Sequence, residues 1–176
     1  MSKASDGFAY SIKDSENLLL HFNALNTKPP PPEIEVLKRA GLIMAMTAWE
    51  TYVEDRLVEA AEERLHALGN DAVAGLVMSK LMEEIKRLNN PDSSRAIQLF
   101  RDYAGVDLSS TWFWNGVDHK TVKSRLNNYL KLRGDIVHRS KPDTATSHPV
   151  KKVDLEKAIS FLKLLVDATE RAFGRV

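Results

Sequence analysis

The sequence predicts an all-α protein built as an up-and-down helical bundle. Six segments repeat apolar residues every three or four positions, the spacing of helices with one buried side, and no segment alternates as a strand would. The chain has 176 residues, of which 43% are hydrophobic and 28% are charged. This length and composition predict one globular domain over residues 1–176, large enough to bury a core without crosslinks.

The N-terminal segment, residues 1–28, contains the first predicted helix, which runs from Phe8 to Leu25. Four prolines at 29–32 end it, because proline lacks the backbone N–H donor and stiffens the chain. We interpret them as a rigid connector rather than as a ligand for a partner domain. The longest helix is predicted from Glu33 to about Leu68. Its stretch 40–49 carries no charge, which places it in the middle of the bundle.

Four shorter helices are predicted after this one. Residues 69–70, Gly-Asn, form a stop signal, and Asp71 is predicted to cap a helix that ends near residue 88. A short helix is predicted over 94–103, and another opens near Asp118. Asp154 is predicted to cap the last helix, after a polar loop.

The segment 105–116 is predicted to be irregular and contains Trp112, Phe113 and Trp114. Exposed aromatic rings could stack on unpaired bases. Bulky aromatic residues in a loop more commonly close the end of a core, however, and we predict that role for these three.

Several classes of protein are excluded by what the sequence lacks. The absence of cysteine excludes disulfides and cysteine-ligated zinc, and it fits a reducing cytoplasm. The N-terminus has no long apolar run of the kind found in signal peptides, and no window reaches the roughly 18 apolar residues of a membrane span. We find no glycine-rich phosphate loop and no cluster of metal ligands. The sequence therefore predicts a cytoplasmic protein that uses no membrane, cofactor or metal.

The candidate functional residues lie near the end of the helix that opens at Asp118. Arg133 interrupts the apolar stripe of this helix, and a charge in such a position is costly unless it is paired or faces a polar cleft. His138 follows five residues later, about 140° around a straight helix. Asp135 is closer to His138, about 60° away, where it can orient the imidazole by a hydrogen bond.

Glu50 is the predicted partner of Arg133. It falls on a row of the long helix, spaced by sevens, that is otherwise apolar: Val36, Ile43 and Leu57. Two inward charges of opposite sign in one small bundle predict an ion pair. The alternative is that Glu50 begins the acidic, solvent-exposed run that continues through Glu54.

The charge of the chain is unevenly distributed. Residues 118–152 contain nine Lys and Arg against three Asp, a net charge of +6, whereas the whole chain carries +1. A basic neighbourhood around the candidate site suits a phosphate-bearing ligand. The alternative is a solvated basic face that balances an acidic one.

Two stretches of the chain resemble a known family. Arg133 and His138 with four residues between them resemble the R-x4-6-H motif of HEPN domains. The segment 48–54, Ala-Trp-Glu-Thr-Tyr-Val-Glu, resembles the aromatic and acidic signature of the RiboL-PSP and MAE_28990-like HEPN branches. The resemblance extends from about Glu33 to the C-terminus. It implies a four-helix core with extra short helices that dimerises around the motif and, in active members, a metal-independent endoribonuclease.

A reaction that needs neither a metal nor a protein nucleophile is available if the substrate is RNA. The 2′-hydroxyl can attack the adjacent phosphodiester when His138 moves a proton and Arg133 stabilises the charge that develops on the phosphorane. Lys131, Arg139 and Lys141 are then the predicted RNA-binding residues. The partners implied by the resemblance are a second copy of the chain, RNA, and a cognate antitoxin or regulatory protein if the nuclease is a toxin or defence component.

Two other interpretations remain open. The chain could be a non-catalytic HEPN module that binds RNA, nucleotide or another protein through the same groove, or a purely structural helical dimer. Some HEPN toxins carry a tyrosine two residues after the histidine, which a partner nucleotidyltransferase modifies. Ser140 occupies that position here, so control by that route is not expected.

Overall fold

A computed structural model describes residues 2–28, 31–88, 91–138 and 150–174. Within these ranges 83% of the residues are helical and no strand occurs. Trp114 and Val117 form only an isolated antiparallel bridge. The all-α bundle predicted from the apolar spacing is therefore confirmed.

The described residues form six α-helices. Two connections contain a single 3₁₀ turn, Pro32–Ile34 and Leu108–Ser110, and a wide π-helical turn, Phe100–Ala104, extends the fourth helix. The helices are α1 (Lys3–Leu25), α2 (Glu35–Leu68), α3 (Asp71–Lys86), α4 (Ser93–Leu99), α5 (His119–His138) and α6 (Lys152–Arg171).

Helix α1 begins earlier than the apolar pattern indicates. Ser2 caps it by accepting a hydrogen bond from the backbone N–H of Ser5 at 3.0 Å, so the helix starts at Lys3 rather than Phe8. Helix α2 starts at Glu35, two residues after the predicted Glu33, because the 3₁₀ turn precedes it. Its predicted end is correct, and Gly69 stops it with a left-handed φ of 63°. Pro29 and Pro30 lie outside the described residues.

Two predicted caps lie inside their helices rather than at the cap position. Asn70, not Asp71, caps α3, since the Asn70 side chain accepts the N–H of Val73 at 3.1 Å. Asp154 is the third residue of α6 rather than its cap. Its carboxylate accepts the backbone N–H of Lys151 at 3.1 Å, which is one half of a capping box, because the Lys151 side chain has no acceptor to supply the other half.

Helix α2 is the centre of the bundle and contacts α1, α3, α5 and α6. Its uncharged stretch 40–49 is buried or half-buried except at Thr47. Helix α1 runs antiparallel to α2. At one end Ser15 donates to the carbonyl of Gly41 at 2.8 Å, and at the other the N–H of Lys3 donates to Glu59 at 3.2 Å. Leu155 of α6 lies directly against Gly41.

A buried ion pair that the sequence did not predict joins the long helix α2 to the last helix, α6. The Arg56 side chain is 0% exposed, and its Nε donates to Glu170 Oε1 at 3.0 Å. The same oxygen accepts the hydroxyls of Tyr52 at 2.7 Å and Ser2 at 2.9 Å. The guanidinium carbon lies 3.6 Å from the ring centre of Phe173. This cluster fixes the start of α1 and the end of α6 on α2.

The aromatic loop divides into one buried and two accessible rings. Trp112 is 0% exposed, lies 6.2 Å from Trp49 between ring centres, and donates its indole N–H to Thr169 Oγ1 at 3.0 Å. It closes the end of the core as predicted. Trp114 is only half-buried and Phe113 is 55% exposed, so the predicted plug role is wrong for Phe113.

Candidate active site at the end of helix α5

Helix α5 carries the predicted site and is held in the bundle by its first three turns. The carboxylate of Asp118 accepts the N–H of Thr121 at 2.8 Å and so caps the helix where the sequence predicts a start. Val122, Leu126 and Leu130 are buried, and α5 contacts α2 and α4. The helix is described without interruption to His138. Gly134 therefore does not end it, and helical geometry applies to the whole motif.

Arg133 is turned toward the long helix. Its Nη2 lies 3.6 Å from Glu50 Oε2, and the two side chains are 23% and 18% exposed. The predicted ion pair is therefore present, although it is partly rather than fully buried. The Nε of Arg133 is inaccessible to solvent and has no hydrogen-bond partner among the described residues. The guanidinium is thus held in place from one side while part of it still reaches solvent.

His138 is the last residue of α5 and is exposed. Five residues separate it from Arg133, about 7.5 Å along the helix axis and about 140° around it. No hydrogen bond or ion pair joins the two within residues 91–138. One chain therefore presents an accessible imidazole and a half-buried guanidinium at the same helix end, but on different sides.

Asp135 is half-buried and precedes His138 by three residues, close to one turn of α5. Its predicted role of orienting His138 stays a prediction. Gly134, beside Arg133, has open space where a Cβ would stand, so none of the described residues covers the helix backbone there.

Comparison with protein families gives a match that spans both stretches of the family resemblance. The family model described as RiboL-PSP-HEPN matches residues 10–175, which include both the Ala48–Glu54 and the Arg133–His138 stretches. The chain belongs to the RiboL-PSP-HEPN family. No curated protein and no solved structure matches it significantly. HEPN domains often dimerise and bind RNA, so membership indicates a nuclease or another RNA-related module.

Several carboxylates lie close together on α2, on the acidic side of the site in this RiboL-PSP-HEPN domain. Burial raises the pKa of the Glu54 carboxyl, and the neighbouring charges of Glu50 and then Asp55 raise it further. Burial and Glu59 likewise raise the pKa of Asp55. Arg133 therefore lies against a surface of α2 that has an excess of negative charge, which favours the ion pair with Glu50.

The predicted RNA-binding residues are only partly covered by the structure. Lys131 is exposed on α5, whereas Arg139 and Lys141 lie outside the described residues. Several other cations of the basic segment are also exposed: Lys120, Arg125, Lys151 and Lys152. The basic side chains around the RiboL-PSP-HEPN site are therefore exposed to solvent along α5 and at the start of α6.

The described residues contain neither a metal-ligand cluster nor a membrane-spanning helix. They contain no group of three or more histidine, aspartate or glutamate side chains placed to hold a metal ion. None of the helices in residues 2–28, 31–88, 91–138 and 150–174 combines the length and apolarity needed to cross a bilayer.

Proposed function

We propose that this RiboL-PSP-HEPN protein is a homodimeric, metal-independent endoribonuclease that cleaves RNA through attack of the 2′-hydroxyl. The observation that carries the proposal is the pairing of Arg133 with Glu50 at the same helix end as an exposed His138, in a family whose match covers both stretches. An arginine held in a partly apolar site can stabilise developing negative charge without first losing a full hydration shell. An exposed histidine can exchange protons with solvent between turnovers.

The roles of the residues follow from their positions. His138 transfers the proton, and Arg133 binds the scissile phosphate and stabilises the phosphorane. Glu50 is a positioning residue, because it contacts the guanidinium rather than the substrate. Asp135 orients His138. Lys131, with Arg139 and Lys141, neutralises phosphates on either side of the cleavage point.

A second copy of the chain completes the site. Cleavage through the 2′-hydroxyl needs a base and an acid on opposite sides of the phosphate. The last turn of α5 supplies one histidine, His138, because His119 lies at the other end of the helix. The last turn of α5 has apolar residues that the single chain leaves accessible, since Ile136 is half-buried and Val137 is 45% exposed. Packing two such helix ends together would bury these residues and bring two copies of the motif to one cleft.

The experiment that tests this function compares His138→Ala with His21→Ala, which changes an exposed histidine on α1. Single-stranded RNA is incubated with each protein in EDTA, and products with a 2′,3′-cyclic phosphate are measured. His138→Ala should remain a folded dimer, retain RNA binding and cleave roughly 10²- to 10⁴-fold more slowly. His21→Ala should cleave like the wild type. Equal cleavage by His138→Ala, or no cyclic phosphate product from the wild type, would leave the non-catalytic binding module as the function.

We further propose that the nuclease acts in the cytoplasm as a toxin or defence component, restrained by a cognate antitoxin or regulatory protein. A cysteine-free chain is suited to a reducing compartment, where disulfides contribute nothing. An unrestrained ribonuclease should arrest growth of the cell that expresses it. Induced expression of the wild type should therefore reduce colony formation, and His138→Ala at the same expression level should not. Equal growth of the two strains would contradict the toxin role.

A further inference from the structure

A groove of about 520 Å³ lies between α5 and α6, outside the Arg133 and His138 positions. Its volume is in the range of small-molecule sites, roughly 300–1,000 Å³. Its walls contain aromatic rings and exposed cations: Trp114, Arg125, Tyr129, Lys157 and Phe161. Trp114 of the aromatic loop is one of these rings. Trp112 closes the end of the core, so Trp114 is not needed for that purpose.

The floor of the groove is aromatic. Phe161 is buried at 5% exposure, and its ring centre lies 5.7 Å from Trp114 and 5.6 Å from Tyr129. Trp114 and Tyr129 are both half-buried, so part of each ring is accessible. The rings are tilted against Phe161 by 58° and 49°, and they form the sides of a trough rather than a closed stack. A flat ring of another molecule can therefore lie against either side.

The rim of the groove is positively charged. Arg125 and Lys157 are exposed, and neither forms an ion pair with a described residue. The carboxylate at the rim, Glu156, already pairs with Lys152 at 3.5 Å. Nearby Asp154 is engaged by the backbone N–H of Lys151. Two such cations beside accessible aromatic rings complement a ligand that joins a planar ring to a negative charge.

The groove is directly next to the candidate active site. Tyr129 precedes Arg133 by four residues on α5, about 6 Å along the axis and about 40° around it. Arg125 lies one turn further back on the same side. A strand whose phosphate reached Arg133 would therefore have a neighbouring nucleotide over Tyr129.

We propose that this groove is a subsite for one unpaired nucleotide of a single-stranded RNA. The base stacks on Tyr129 and Trp114, and Arg125 and Lys157 neutralise its flanking phosphates. The subsite rests on the RNA-binding part of the proposed function, not on cleavage, and it adds a preference for strands whose bases are unpaired. Aromatic stacking tolerates every base, so the groove selects single strands rather than a sequence.

The charge component is tested by binding of a labelled single-stranded RNA to proteins that carry His138→Ala, which prevents cleavage during the measurement. Fluorescence anisotropy is recorded in EDTA at several salt concentrations. Replacing Arg125 and Lys157 together by Gln should weaken binding and reduce the slope of log K against log salt by about 1.4, roughly 0.7 for each phosphate that is no longer neutralised. A matched pair, Lys13→Gln with Lys86→Gln, removes two exposed lysines on α1 and α3 and should leave both affinity and slope unchanged.

The stacking component is tested at Tyr129. Tyr129→Leu retains an apolar contact with Phe161 but removes the aromatic face, and it should weaken binding by about tenfold. Tyr129→Phe keeps the face and should bind like the parent protein. An oligonucleotide series with a single abasic position should show one position at which loss of the base weakens binding to the parent. The same abasic position should have no further effect on Tyr129→Leu.

The outcomes separate this subsite from the proposed nuclease. If the groove variants bind RNA as the lysine control does, the subsite is overturned, whether or not the wild type cleaves. Altered oligomeric state with unchanged RNA affinity would also overturn it, because the groove would then be an interface between copies of the chain. If the groove variants lose binding while the wild type never cleaves, the subsite stands and the nuclease assignment fails. Absence of RNA binding by the parent protein overturns the subsite as well.

Discussion

Arg133 Nη2 on α5 lies 3.6 Å from Glu50 Oε2 on α2. This ion pair joins the two stretches of sequence that carry the family resemblance, although they are far apart in the chain. Because both side chains are largely shielded from solvent, the pairing sets the direction of the guanidinium. Glu50 is in turn close enough to Glu54 to raise the pKa of the Glu54 carboxyl. The geometry of the candidate site thus depends on α2 as much as on α5.

Removing the Glu50 carboxylate should therefore lower stability. A surface ion pair contributes under about 1 kcal/mol, and breaking a fully buried pair costs roughly 3–5 kcal/mol. The burial of the Arg133–Glu50 pair lies between these two cases. We expect Glu50→Ala to reduce the free energy of unfolding by roughly 1–3 kcal/mol, and Glu50→Gln by less, because the amide can still accept a hydrogen bond. Urea denaturation measures this, with the exposed Glu62→Gln on the same helix as control. Unchanged midpoints for both Glu50 variants would show that the ion pair contributes no stability.

The sequence was sufficient to predict this pair but not the Arg56–Glu170 pair. Both Arg133 and Glu50 interrupt rows that are otherwise apolar, and that interruption is a local signal. Arg56 also lies on an apolar row, with Trp49, Val53 and Ala60, but the acidic residues on either side of it in the sequence suggest an exposed face. Its partner is on the last helix, and no local pattern specifies an interaction over that separation. Only the packing of α6 on α2 brings the two together.

Loss of the buried partner should be more severe than loss of Glu50. Glu170→Gln leaves the buried Arg56 charge with only the more distant Glu59 carboxylate, 3.9 Å from Nη1, and should cost up to roughly 3–5 kcal/mol. Replacing both residues, Arg56→Met with Glu170→Gln, should recover part of this loss because no unpaired charge remains. Glu156→Gln is the matched control, since its pair with Lys152 is exposed and should contribute under about 1 kcal/mol. Thermal unfolding of the four proteins gives the comparison, and a Glu170→Gln midpoint equal to that of the control would contradict the prediction.

The raised pKa of Glu54 predicts a pH-dependent change in stability. The unfolded chain, in which Glu54 has a pKa near 4.5, releases the carboxyl proton at a lower pH than the folded chain does. Stability therefore falls as pH rises from the unfolded pKa through the folded one, and the loss is complete above the folded pKa. Glu54→Gln should be more stable than the wild type at pH 7, by less than about 1 kcal/mol because Glu54 is only half-buried. The advantage should vanish below pH 4.5. A constant difference between the two proteins from pH 4 to pH 7 would exclude this origin.

Gly134 gives a prediction that separates the single chain from its assembly. It lies inside α5 with ordinary helical backbone, and a Cβ built on it meets no atom of the described residues within 4 Å. Gly75 in α3 has the same two properties. Since glycine in a helix interior is about 1 kcal/mol less favourable than alanine, both Gly134→Ala and Gly75→Ala should stabilise the fold by roughly 0.5–1 kcal/mol.

The two substitutions should differ in function. If two copies of α5 meet at the candidate site, or if RNA approaches the helix backbone beside Arg133, the added methyl group at Gly134 occupies space that the partner or substrate needs. Gly134→Ala should then raise the melting temperature yet weaken dimerisation or RNA cleavage, whereas Gly75→Ala should raise the melting temperature alone. Sedimentation equilibrium and the cyclic phosphate assay measure these effects. Full dimerisation and full cleavage by Gly134→Ala would mean that the open space beside Arg133 belongs to neither interface, and the dimer cleft would have to lie on another face of α5.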